Sequence, residues 1–317
     1  MMDILNLNYY EQEPEDSTFP DIMVDITHRC NMECNNCYIP TRTPPDMDID
    51  KFREFIKRFP NRRMFRIVGA EPTLHKHCID FIKTVLEEGH MCLLITNGLR
   101  LSSPSFVKKL EATGLKQIYM SMNGVDRDDW YEEIDDLACA EKKLKAFKNI
   151  ANKFNLDIGT IIVKGVNEDA PKRMLDLIKK YDVKNITMRI KNVGQLGRYM
   201  QDITENYKME DLVRICAGHF NLTEEYIWEF YKKEHTYTDG WNYWERESCG
   251  IEFPVDKNAD RAFRYKGRWV KLTNWDTDNE VGIPDPGSER RGRITSDWKI
   301  APFMENVKIG IENEIGR

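Results

Sequence analysis

Ile22-Met-Val-Asp-Ile-Thr27-His-Arg-Cys30-Asn-Met-Glu-Cys34-Asn-Asn-Cys37 runs from a short apolar, β-branched stretch straight into three cysteines spaced C-x3-C-x2-C. The first half reads as a strand and the second as a tight loop at its C-terminal end. The chain has eight cysteines, and three of them fall in this one octapeptide. The other five, Cys78, Cys92, Cys139, Cys216 and Cys249, are isolated. Clustered thiols at such spacing point to metal ligation rather than to disulfides.

Working outward, the same strand-then-helix layout repeats as far as about residue 195. Strands are expected at Ile22–Thr27, Met64–Val68, Met91–Thr96, Gln117–Met122, Asp157–Val163 and Asn185–Ile190. Amphipathic helices are expected between them at Ile49–Phe59, Lys76–Glu88, Pro104–Ala112, Leu137–Phe154 and Asp169–Tyr181. Ser103-Pro104 opens the third helix, and Gly89 and Gly114 close the second and third. Alternation of this kind builds a parallel sheet whose working loops sit at the C-terminal strand ends. Six strands and five helices are too few to close an eight-stranded barrel. The expected fold class is therefore α/β, a partial (β/α)6 TIM-like barrel with a C-terminal α+β extension.

Residues 1–20, acidic and Pro-containing, read as an N-terminal lead-in, 21–195 as the core barrel and 196–317 as the extension. The extension holds six of the seven tryptophans, helical patterns at Lys208–Asn221 and Thr223–Glu234, and a hairpin pattern at Ala262–Thr273 turning on Lys266-Gly267. It is the expected substrate-binding or capping region.

Composition sets the outer bounds. A chain of 317 residues has length enough for a full core. A net charge of −6 and a pI near 5.7 argue against a nucleic-acid binder. No run approaches the roughly 18 apolar residues of a membrane helix, and the acidic N-terminus does not read as a signal peptide. A cytoplasmic location is expected.

Further motifs stand at strand ends, in order: Gly69-Ala-Glu-Pro-Thr73, Ser121-Met-Asn123-Gly and Ile162-Val-Lys-Gly165-Val-Asn-Glu168. Together with the cysteine loop, and over about residues 20–195, they resemble the radical S-adenosylmethionine (radical SAM) superfamily. The resemblance implies that Cys30, Cys34 and Cys37 ligate three irons of a [4Fe–4S] cluster, leaving the fourth iron to S-adenosylmethionine. It further implies that Gly69, Ala70 and Glu71 hold the cofactor's amino group and that Ser121 and Asn123 face its ribose and carboxylate. Val163 and Gly165 would then line the adenine. Arg189 either reaches the cofactor carboxylate or sits in an ion pair at the barrel rim. The family usually has an aromatic residue just before the third cysteine; here it is Asn36, and Tyr38 is the candidate substitute.

Zinc stays open as an alternative for the loop, with His28 the sole nearby fourth ligand. So does a non-catalytic iron–sulfur or zinc-binding role for the chain. The catalytic reading implies an oxygen-sensitive enzyme that takes one electron from a donor such as ferredoxin or flavodoxin. Its radical would abstract hydrogen from a peptide or a small anionic metabolite. Only Cys216 and Cys249 lie beyond residue 195, too few for a second cubane, so one cluster is expected. Cys249 is either a hydrogen donor to a product radical or an inert thiol. The run Arg261-Ala-Phe-Arg-Tyr-Lys-Gly-Arg-Trp-Val-Lys271, with Arg290-Arg-Gly-Arg293, reads either as an anion site or as solvated strand faces.

Overall fold

In the computed structural model, described for residues 10–37, 39, 44–193, 206–233, 260–273 and 291–302, the expected strands assemble side by side. They are β1 (Asp21–Asp25), β2 (Met64–Val68), β3 (Met91–Thr96), β4 (Gln117–Ser121), β5 (Asn155–Ile161) and β6 (Ile186–Lys191). Each pairs in parallel with the next. The helices between them are α1 (Ile49–Ile56), α2 (Cys78–Glu87), α3 (Pro104–Ala112), α4 (Asp128–Asp135) with α5 (Ala140–Ile150), and α6 (Ala170–Lys180).

The sheet is larger than the sequence suggests, because the last third adds strands to both edges. After α7 (Met209–Phe220) and α8 (Glu224–Lys233), β7 (Asp260–Tyr265) and β8 (Arg268–Thr273) form the expected hairpin. β8 then pairs in parallel with β6. On the opposite edge β9 (Arg291–Ile294) pairs in parallel with β1, and β10 (Ile300–Pro302) pairs with β9. The strand order is β10-β9-β1-β2-β3-β4-β5-β6-β8-β7, ten strands with two separate ends, so the barrel is unclosed.

One helix differs from expectation. The segment taken as one helix over Leu137–Phe154 starts at Ala140, and a separate α4 precedes it. The acidic α4 sequence, Asp-Asp-Trp-Tyr-Glu-Glu-Ile-Asp, looks like a loop by composition. Trp130, Tyr131 and Ile134 nevertheless share one buried face, and Asp136 ends the helix with a left-handed φ of 53°.

Alternation decides what each strand face carries. On one face Ile22, Val24, Phe65, Ile67, Leu94, Ile118 and Met120 enter the core under the helices. The other face lines the barrel lumen and is deeply charged. Asp21 pairs with Arg66 at 2.6 Å and with Arg291 at 3.4 Å, and Asp157 pairs with Arg189. Arg293 of β9 grips Asp25 of β1, with Nη2 2.6 Å from Oδ1.

The Asp25–Arg293 pair predicts an acid-sensitive edge. Burial alone would raise the Asp25 carboxyl, but the Arg293 guanidinium outweighs it and holds the carboxyl below its ordinary value. A depressed folded pKa stabilises the fold at pH above the unfolded value of about 3.9 and loses that contribution as pH falls through the folded value. Amide exchange across Arg291–Ile294 should therefore accelerate as pH drops below about 4, after correction for the intrinsic rate. Asp25→Asn should show weak protection already at neutral pH and little further change.

Candidate functional site

The cysteine loop leaves β1 under tight backbone control. Thr27 Oγ1 donates to Asp46 at 2.5 Å, and Arg29, one residue before Cys30, is clamped to the same carboxylate at 2.6 Å. Farther along, Asn35 N donates to the Ile134 carbonyl at 3.0 Å and its side chain to the Glu133 carbonyl at 2.7 Å, tying the loop to the end of α4. Cys37 N closes a turn on the Cys34 carbonyl at 3.2 Å. Met32 supplies the apolar anchor, buried with Leu99, Tyr131, Cys139 and Ala140.

The turn after β2 docks on this loop through its main chain. Ala70 N donates to the Thr27 carbonyl and Glu71 N to the Arg29 carbonyl, both at 2.9 Å. Gly69 has a φ of 154°, and a Cβ there would stand 2.3 Å from the Thr27 carbonyl oxygen. Only glycine fits that contact.

A cavity of about 220 Å³ opens at these strand ends. Cys30, Cys34 and Cys37 line it together with Gly69, Ala70, Ser121 and Asn123. Seven of the residues singled out in the sequence thus meet in one place. Glu71 does not face it: its buried carboxylate accepts from Thr73 N at 3.0 Å, Thr96 Oγ1 at 2.7 Å and Asn97 N at 2.7 Å, stapling the turn to the end of β3. Val163 and Gly165 are also absent from the lining, because β5 ends at Ile161 and the chain turns away. Val163 N is captured by Asn167 Oδ1 at 2.7 Å, and Gly165 sits at a φ of 77°. Ile161 lines the cavity in their place. Arg189 takes the ion-pair alternative, held by Asp157 with Nε 3.1 Å from Oδ1. Tyr38 and Cys249 lie outside the described residues.

Asn97, Lys143 and Asp135 shape the site although they carried no sequence signal. Asn97 bonds Asn31 at 2.8 Å and places its Nδ2 3.9 Å from the Cys30 sulfur. Lys143, fully buried, donates to the Asn97 carbonyl at 2.5 Å and the Ser121 carbonyl at 2.8 Å. It thereby ties the ends of β3 and β4 beneath the cavity. Asn123 receives Ile161 N on Oδ1 at 3.0 Å and donates to Asp135 Oδ1 at 2.7 Å. Burial pushes the Asp135 carboxyl above its ordinary value, against the pull of Lys143 and Asn123. Burial, reinforced by the charge of Asp135, also pushes the Cys34 thiol up.

Two buried acceptor atoms in the lining, Asn36 Oδ1 and Asp135 Oδ2, make no hydrogen bond. Acceptors left this way cost free energy until a donor arrives, and together with three soft thiols they suit a ligand rich in N–H and O–H groups beside an iron–sulfur centre. Among the described residues no three Cys, His, Asp or Glu side chains are gathered tightly enough to enclose an ion. The thiols share a wall without converging on a point.

A family model described as the radical SAM superfamily matches residues 24–178, from β1 into α6. Over that span the chain matches the radical SAM superfamily. The radical SAM relatives include the GTP 3′,8-cyclase of Clostridium perfringens, 23% identical over 199 residues, covering 60% of this chain and 60% of the relative. The 7,8-dihydro-6-hydroxymethylpterin dimethyltransferase of Methanocaldococcus jannaschii is 30% identical over 110 residues, 32% of this chain and 22% of that protein. The chain thus spans less than two thirds of the length of either. Among solved structures, SuiB of Streptococcus suis bound to precursor peptide SuiA matches with a TM-score of 0.59 at 14% identity, over 90% of this chain and 60% of that one. That likeness concerns the fold, the unclosed barrel with its mostly parallel sheet. The radical SAM family uses a [4Fe–4S] cluster and S-adenosylmethionine, and the thiols and orphaned acceptors just described suit both. No helix among the described residues is long and apolar enough to cross a membrane.

Proposed function

We propose that this chain is a radical SAM enzyme that abstracts a hydrogen atom from a peptide or small anionic substrate. The observation that carries the reading is the sharing of one cavity by Cys30, Cys34 and Cys37 with the main chain of Gly69 and Ala70 and the side chains of Ser121 and Asn123. When bound, a [4Fe–4S] cluster and S-adenosylmethionine supply a 5′-deoxyadenosyl radical after one-electron reduction by a donor such as ferredoxin or flavodoxin.

The chain's own residues bind, orient and exclude. The three thiols hold the cluster, on a loop that Asp46 and the α4 carbonyls keep from drifting. The Gly69–Ala70 main chain would hold the amino end of the cofactor, while Ser121 and Asn123 would serve its ribose and carboxylate. Asn36 Oδ1 and Asp135 Oδ2 accept from donors the ligand brings. Val68, Ile95 and Ile161 keep the chamber apolar, which limits water and stray hydrogen donors near a reactive intermediate.

A structural zinc site fits less well. Its candidate fourth ligand, His28, does not line the cavity, and a structural zinc site is closed by four protein ligands. The test is anaerobic reconstitution with iron, sulfide, dithionite and S-adenosylmethionine. Release of 5′-deoxyadenosine is expected; a fully loaded protein that releases none contradicts the enzyme reading.

A further inference from the structure

Tyr119 lines the same cavity as the cysteines, and the strand register shows how its hydroxyl gets there. Ser121 is in register with Gly159 and Arg189, Tyr119 with Asp157 one same-face step lower, and Ile161 with Lys191 one step higher. The phenol climbs across the lower step. Its hydroxyl lies over Gly159, where a Cβ would stand 1.8 Å from it, and accepts from Lys191 Nζ at 2.7 Å. The missing side chain at 159 is what admits it. The ring is anchored below, packed with Ile95 on Met64, Met91 and Leu93. The hydroxyl therefore stands level with Ser121, the residue given above to the cofactor's ribose.

This hydroxyl accepts a hydrogen bond but gives its own hydrogen to no acceptor among the described residues. Asp135, the carboxylate of the described lining, does not take it: its Oδ2 makes no hydrogen bond and its Oδ1 receives Asn123. Burial raises the phenol well above its ordinary value, so it keeps its hydrogen at neutral pH. A buried tyrosine O–H usually finds an acceptor, and one that does not calls for an explanation. Chemistry supplies one. With the three thiols committed to iron, Tyr119 is, among the described lining residues, the side chain whose O–H or S–H bond is weaker than an aliphatic C–H bond. An aliphatic carbon radical takes that hydrogen downhill, which it cannot do from the Ser121 or Thr96 hydroxyl.

We propose that Tyr119 is the catalytic hydrogen-atom donor that ends the reaction by returning a hydrogen to the substrate radical. The proposal rests on the radical SAM function argued above and deepens it by naming the class of reaction. In this step a C–H bond forms on the substrate and the Tyr119 O–H bond breaks, leaving a phenoxyl radical. A second electron from the same class of donor, ferredoxin or flavodoxin, reduces that radical, and the proton comes from solvent by way of Lys191 Nζ, already bonded to the oxygen. One hydrogen leaves the substrate and one returns. The substrate is neither oxidised nor reduced overall, so the class is an epimerisation or a rearrangement. Transfer of a whole hydrogen atom moves no net charge, and the step is therefore independent of how the charges of Lys191, Asp135 and the Asp157–Arg189 pair balance.

The test uses the full chain reconstituted in D2O with dithionite, and S-adenosylmethionine alone as the probe. With no substrate in the way, the 5′-deoxyadenosyl radical itself meets the hydroxyl. Mass spectrometry of the nucleoside and paramagnetic resonance of freeze-quenched samples are the two readouts. Wild-type protein should give 5′-deoxyadenosine carrying a solvent-derived deuterium, and a tyrosyl radical signal. Tyr119→Phe, which removes only the hydroxyl, should bring both to background, whereas Tyr181→Phe, at the end of α6 and outside the cavity lining, should keep both. Should Tyr119→Phe fail to fold, 3-fluorotyrosine placed at position 119 keeps the hydroxyl and must add a fluorine splitting to the signal. Equal deuterium and an equal signal in wild type and Tyr119→Phe, unlabelled nucleoside from the wild type, or a signal without the fluorine splitting overturns this proposal alone. Wild-type protein that releases no 5′-deoxyadenosine overturns the enzymatic reading, and the proposal with it.

Discussion

Replacing Cys34 by alanine is expected to reduce 5′-deoxyadenosine release to background and to leave a protein that folds but does not retain a full cluster. Cys34 is the middle thiol of the loop, and both neighbouring constraints, the Cys37 N to Cys34 carbonyl bond and the Asn35 contacts to α4, run through the main chain or another residue. Alanine preserves them. The stability cost should stay near 1 kcal/mol, as for a half-buried side chain lost from a loop, while a cubane deprived of one of three protein ligands has no substitute thiol in the cavity lining. The control is Cys216→Ala. That thiol lies on the buried face of α7, is pushed up by burial, and does not line the cavity; its loss should affect stability only. Iron content, thermal midpoint and nucleoside release, measured on the two variants together, separate the effects.

Gly69→Ala should be nearly as damaging, by a different route. The new Cβ would meet the Thr27 carbonyl oxygen at 2.3 Å and the Thr27 nitrogen at 3.1 Å, both main-chain atoms that cannot swing aside. A φ of 154° adds strain for any L side chain. Strain and overpacking together put the loss at about 3 kcal/mol or more. Relief requires the β2 turn to lift from the cysteine loop, breaking the Ala70 N to Thr27 and Glu71 N to Arg29 bonds. S-adenosylmethionine affinity should therefore fall with stability. Ala70→Gly keeps the same bonds and should be nearly silent in both measurements.

The parts of the fold governed by local pattern were legible in advance. β2, β3 and α3 begin and end where periodicity and Ser103-Pro104 place them. The edges were not. β9 is four residues long and pairs with a strand 270 positions earlier through Asp21↔Arg291, and no local period reports a partner so distant. α4 was hidden by its acidic composition, although it supplies the carbonyls that hold the cysteine loop.

At the site, the thiols, Gly69, Ala70, Ser121 and Asn123 were readable because spacing and strand-end position constrain them. Asn97, Lys143 and Asp135 were not, since each acts through a contact between elements far apart in sequence. Arg189 and Lys191 show the limit most clearly. They sit two residues apart on one strand face, and only the placement of Asp157 on β5 determines that the first is spent in an ion pair while the second lines the cavity.

The central claim is that the loop holds a cluster with one iron left for S-adenosylmethionine. Anaerobically reconstituted protein should be reduced with dithionite and its paramagnetic resonance spectrum recorded before and after S-adenosylmethionine is added. About four irons per chain and a cluster signal that changes on addition are the predicted result. A protein that takes up zinc in place of iron, or a cluster signal indifferent to S-adenosylmethionine, would contradict it.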